Sequence, residues 1–130
     1  MKKFLFLGCL LLATAIHAQS NPDIVFKTTT FNFGKIRQNV PATYIFTFTN
    51  NGAKPALIEF ANAECGCTTP EYSKEPILKG KSGTIKVTYN AANMGAFKKN
   101  VNVKFVNQQL PVVLTINGEV AATSAKEKSK

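Results

Sequence analysis

The sequence predicts an all-β sandwich of seven or eight short strands, and three observations carry that expectation. Apolar residues alternate with polar ones, as in Thr43–Thr49 (TYIFTFT) and Thr84–Tyr89 (TIKVTY). That spacing places successive side chains on opposite faces of a strand. Turn-forming clusters such as Asn50-Asn51-Gly52 recur at the spacing of about 8–12 residues typical of all-β domains. No window shows the 3.6-residue stripe of an amphipathic helix. Two sheets, each greasy on one face, must stack to take those faces out of water.

The elements follow in order. Asp23–Thr30 reads as a first strand, and Thr30–Gly34 (TFNFG) continues it or starts a second. In Thr43–Thr49, Tyr44, Phe46 and Phe48 share one face. Ala56–Ala63 follows Pro55, with Ile58 and Phe60 directed inward. Glu64–Gly83 reads as a long loop holding Pro70, Pro76, Gly80 and Gly83. Thr84–Tyr89 puts Ile85, Val87 and Tyr89 inside and Lys86 outside. Ala96–Val106 places Phe97, Val101, Val103 and Phe105 on one side, with Lys98, Asn102 and Lys104 on the other. Leu110–Val120 closes the domain with Leu110, Val112, Leu114 and Ile116 on one face. Phe31, Phe33, Phe46, Phe48, Phe60, Phe97 and Phe105 are read as core, and Tyr72 as an exposed aromatic available for function.

The ends read differently. Met1-Lys2-Lys3, the thirteen-residue apolar run Phe4–Ile16 and the small Ala18 have the layout of a secretory signal peptide. Cleavage after Ala18 is expected. Leu7-Gly8-Cys9 offers a competing lipoprotein box, but the apolar run continues well past Cys9. Residues 19–120 then form the domain, and 121–130 (AATSAKEKSK) a disordered basic tail. Beyond residue 18 nothing approaches the ~20 apolar residues of a membrane-spanning helix. The expected location is the periplasm or the outside of the cell.

Removing residues 1–18 takes away two of sixteen basic residues and none of seven acidic ones, leaving a net charge of +7. It also removes His17, the sole histidine. Without imidazole the chain cannot build Ser-His-Asp or Cys-His pairs, nor offer His to zinc. No facing pair of carboxylates is evident, so no catalytic residue, cofactor site or metal site is assigned and the chain is read as non-enzymatic. The lysines (Lys27, Lys86, Lys98, Lys104) fall at outward positions, a solvated face that also protects edges. Nucleic acid is not an expected partner.

Cys65 and Cys67, flanking Gly66, are the one constellation with chemistry. Export favours a disulfide, but residues two apart in an extended strand lie about 6.5–7 Å apart, near the limit for a bridge. Gly66 relieves this if it adopts a conformation closed to other residues. So small a loop stabilises the fold by only about 1.6 kcal/mol. Three readings stay open: a local bridge or thiol pair shaping the loop, a soft-metal site for Cu(I), and a thiol–disulfide exchange pair.

FNFGKI (31–36), FTFTNNG (46–52), ECGCTTPEY (64–72), ILKGKSGTIKVTYN (77–90), MGAFKKNVNV (94–103) and LTINGEV (114–120) occur in an order that resembles the bacterial DUF1573 family. The most specific piece is Cys-Gly-Cys-Thr. The family is similar to immunoglobulin-like domains of the HYDIN, ASPM/SPD-2/Hydin and major-sperm-protein kind. The resemblance implies an immunoglobulin-like sandwich in an exported protein and no assigned activity. Related domains act as interaction modules, so a non-catalytic binding or assembly role is expected, with another protein or a cell-envelope component as partner. The alternative is a Cu(I) or thiol-redox protein using Cys65 and Cys67. The chain isolated from its host is expected to begin at Gln19 on N-terminal sequencing; recovery with Met1 intact contradicts the export reading.

Overall fold

The computed structural model describes residues 23–122. The expected leader, 1–18, and residues 123–130 of the expected tail lie outside the described residues. Eight strands follow in order: β1 Ile24–Phe26, β2 Thr30–Arg37, β3 Ala42–Asn50, β4 Ile58–Ala63, β5 Thr68–Tyr72, β6 Ser82–Tyr89, β7 Gly95–Phe105 and β8 Val112–Ala121. They form two four-stranded sheets, ordered β1-β3-β6-β5 and β2-β8-β7-β4. Every pairing is antiparallel except β2 with β8.

The N-terminal segment divides between the layers. β1 pairs with β3 in one sheet, and after a bend β2 lies parallel to β8 in the other. The expectation of a single strand over Asp23–Thr30 is therefore corrected: the strand ends at Phe26. Gly34 then breaks the register of β2, between Asn32 and Lys35. Its φ of +69° is open to glycine at no steric cost, and Asn32 Oδ1 accepts its N–H at 2.7 Å.

The core lies between the sheets. Phe46, Phe48 and Phe105 are 0%, 1% and 2% exposed, joined by Ile85, Val87, Val101, Val103, Leu114 and Ile116. Phe48 meets Phe105 edge-on across the layers at 5.2 Å, a favoured ring geometry. Tyr89 stacks on Phe97 at 4.1 Å, and Phe31 on Tyr44 at 3.7 Å. Gly83 has no room for a side chain, because a Cβ there would drive into the Phe48 ring and against Ile77.

Three sequence expectations give way. Phe60 is only half-buried, because the register slips between Ile58 and Phe60 and Ala61 takes the inward place. A one-residue slip exchanges the faces of every side chain beyond it. Leu110 precedes β8 and is 79% exposed. The segment 64–83 is not one loop, since β5 lies within it and pairs with β6 over Thr68–Tyr72.

Asn50 holds the far end together. It is buried, and its Nδ2 donates to the carbonyls of Lys54 and Ile77, both at 2.8 Å. Its Oδ1 accepts the Gly52 N–H at 3.0 Å. Its side chain thereby fastens the β3–β4 turn to the β5–β6 loop, so the Asn-Asn-Gly signal marks a turn with its own buried anchor. Phe46→Ala is expected to cost about 3–5 kcal/mol, against under about 0.5 kcal/mol for the outward Val113→Ala; chemical denaturation measures both.

Candidate functional site

Cys65 and Cys67 sit at the corner where the chain leaves β4, the edge of one sheet, and enters β5, the edge of the other. The structure joins them by a disulfide, with Cα atoms 5.3 Å apart. A bend over Glu64–Cys67 draws them closer than an extended strand allows. Gly66 contributes differently from the sequence expectation. Its φ is not in the left-handed region, and a Cβ built on it meets nothing within 4 Å.

Backbone bonds secure both sides of this corner. Asn90 N–H donates to the Cys67 carbonyl at 2.9 Å, Thr68 N–H to that of Cys65 at 3.3 Å, and Glu64 N–H to that of Asn100 at 3.2 Å. Asn100 Nδ2 also donates to Glu64 Oε1 at 3.1 Å. Both sulfurs are half-buried, and Cys67 packs against the core.

Two residues that sequence reasoning passed over complete the site. Thr68 is 4% exposed. Its Oγ1 lies 3.8 Å from Cys65 Sγ and 3.7 Å from Cys67 Sγ. A bridged sulfur has no proton, so the hydroxyl is the donor. Lys99 occupies an inward position of β7, between Phe97 and Val101 and across from Ile116. Ala63 pairs with Val101 and Glu64 bonds Asn100, so Lys99 stands just past the last of these pairs, where the chain bends away over Glu64–Cys67. Lys99 is half-buried. The signal was a lysine out of phase with an otherwise regular alternation.

Other candidates fall elsewhere. Tyr72 is not an exposed aromatic but packs on the core from β5. Lys104 is not a freely solvated cation: it lies 3.1 Å from Glu59 with its own side chain 18% exposed, and it donates to the Phe105 carbonyl at 2.9 Å. Among the described residues no group of three or more His, Cys, Asp or Glu is placed to hold a metal ion. A pocket of about 240 Å³ lies among Phe48, Ile58, Glu75, Ile77 and Gly83, and a groove of about 390 Å³ among Asn32, Lys35, Phe97, Asn117 and Glu119. Each carries a single carboxylate.

The four sheet edges differ in what they offer. β1 is three residues long, and β2 is broken at Gly34. On β5 the Cys67–Asn90 bond fixes the ladder phase, so Thr68, Pro70 and Tyr72 turn their backbone groups outward; Pro70 has no N–H to offer. On β4 the Glu64–Asn100 bond sets the phase, and Phe60–Ala63 is regular. There the N–H and C=O groups of Ala61 and Ala63 face outward.

Sheets in the order β1-β3-β6-β5 and β2-β8-β7-β4 define a constant-type immunoglobulin-like sandwich with its first strand shared between layers. Residues 24–120 match the family described as protein of unknown function DUF1573, and the chain belongs to that family. No curated protein matches it. A protein of unknown function from Porphyromonas gingivalis superposes with a TM-score of 0.65 at 13% identity, over 74% of this chain and 46% of that one. This chain thus spans under half of that protein. The ASH/PapD-like domain 7 of human CEP192 superposes with a TM-score of 0.65 at 6% identity, over 78% of this chain and 87% of that domain. The Vibrio cholerae protease VesB superposes with a TM-score of 0.59 at 13% identity, over 75% of this chain and 32% of the protease. At these identities the likeness is one of fold. Among the described residues no helix is long and apolar enough to cross a membrane.

Because space is open around Gly66, Gly66→Ala is expected to keep both fold and bridge. Thiol counting under denaturing conditions and circular dichroism check this; loss of either would show that glycine is required at the corner.

Proposed function

We propose that this chain is an exported, non-catalytic binding or assembly module of the periplasm or cell surface. It takes an extended segment of another protein or cell-envelope component along β4. The observation that carries the reading is the β4 edge. Past its slip between Ile58 and Phe60 it keeps a regular run with outward donors and acceptors and no proline, and main-chain pairing with an added strand needs nothing more. Exposed edges are ordinarily blunted: β1 is three residues long, β2 and the start of β4 are bulged and β5 bears Pro70, which leaves Phe60–Ala63. The leader-like residues 1–18 support export, and the bridged Cys65–Cys67 pair suits an oxidising compartment. The likeness to a PapD-like domain supports a binding role by analogy of fold.

Ala61 turns its N–H away from β7, so proline there removes an outward donor and no ladder bond. Ala61→Pro is expected to leave the circular-dichroism spectrum unchanged and to abolish crosslinking of the purified chain to components of its own envelope fraction. Undiminished crosslinking by a folded Ala61→Pro chain contradicts the β4 reading.

A further inference from the structure

We propose that, alongside the binding role, Cys65–Cys67 exchanges stoichiometrically with a dithiol, with Thr68 supplying the hydrogen bond that carries the leaving sulfur and Lys99, on the neighbouring strand, a supporting positive charge. The bridge spans a sequence separation of 2, so it closes almost no loop and adds little to the fold. Both cysteines are partly open to solvent at a corner between strands, and bridges that solvent reaches are the more labile ones. The facing core rings and the strand ladders are made by other residues.

Thr68 is the observation that separates this site from an inert clasp. A threonine on the inward face of an edge strand ordinarily turns its hydroxyl to a backbone carbonyl or to water. This one is buried against both sulfurs, at 3.8 and 3.7 Å. A bridged sulfur is a poor acceptor and a thiolate a good one, so the hydrogen bond strengthens as the bridge opens. Lys99, half-buried on β7 just past the last β4–β7 pair, adds a cation on the neighbouring strand, a recognised means of favouring thiolate over thiol.

The step balances as follows. One thiolate of the dithiol attacks Cys65 Sγ, the sulfur away from the core, and forms a mixed disulfide. The Cys65–Cys67 bond breaks and its electron pair stays on Cys67 Sγ, which takes the Thr68 hydrogen bond. The second thiolate of the dithiol attacks its own sulfur in the mixed disulfide, closes a new disulfide in the substrate and frees Cys65 as a thiolate. The two protein sulfurs take up the two protons released by the dithiol. The protein disulfide is reduced, the dithiol is oxidised, and the reverse sequence restores both.

The test uses the full chain with dithiothreitol as the dithiol. Stopped samples are alkylated and counted for thiols, and near-ultraviolet circular dichroism follows the aromatic core. The bridge is expected to open and reclose reversibly with the core signal intact. Thr68→Val is expected to slow opening by about tenfold, one charge-assisted hydrogen bond, while Thr68→Ser restores the rate. In the Cys65→Ser chain, Lys99→Gln and Thr68→Val are each expected to move the pH at which Cys67 alkylates to higher values. The Cys67 profile keeps the proposal testable even if Thr68→Val impairs bridging. A bridge that opens only when the core signal is lost overturns the proposal. So do an opening rate and an alkylation profile that ignore both substitutions.

Discussion

The aromatic layer between the sheets is the constraint from which the rest follows. Phe46 and Phe48 on β3 and Phe105 on β7 are sealed from water, and each needs the opposite sheet to seal it. Neither sheet can stand alone, because half of every central strand is apolar. Burial of one such ring is worth about 1.5–3 kcal/mol. The conserving of space is tight enough that Gly83 is excluded from carrying a side chain by the Phe48 ring. This domain lacks the Trp packed on an inter-sheet disulfide seen in antibody domains. Facing phenylalanines fill that place, and its cysteines are at the corner instead.

That division leaves the chemistry at the margin. β3, β6, β7 and β8 are central strands, flanked on both sides, and they hold most of the core. β4 and β5 are edges, joined by the Cys65–Cys67 turn. Residues there are free to serve purposes other than packing. Thr68 and Lys99 show it in opposite ways. Thr68 brings a polar group into a buried place and faces it toward sulfur. Lys99 interrupts an apolar face within β7, just past the last of the β4–β7 pairs. Local breaks of pattern of this kind concentrate where a fold does something besides fold.

The sequence made the central strands legible because period-two alternation is strong where one face is buried and the other wet. Thr43–Thr49 and Thr84–Tyr89 are such runs, and both strands stand where alternation placed them. The edges were harder. β5 (TTPEY) carries a proline and three polar residues, so it reads as loop; pairing with β6 makes it a strand. Phe60 was misplaced because a register slip leaves no mark in composition. Leu110 was misplaced because alternation alone does not say where a strand begins. The cysteine pair was legible as a candidate, and its closeness was not, since the bend that brings the Cα atoms together has no signature beyond the glycine. Thr68 reaches the sulfurs only through the strand that sequence reasoning read as loop.

A stable two-layer core with a corner able to open by itself is a statement about local free energies. Native-state amide hydrogen exchange measures it directly. The slowest exchange is expected in β3, β6, β7 and β8, at the free energy of global unfolding, with the amides around Cys65–Thr68 exchanging through a much smaller opening. Exchange of the corner and the central strands at one common free energy would contradict it.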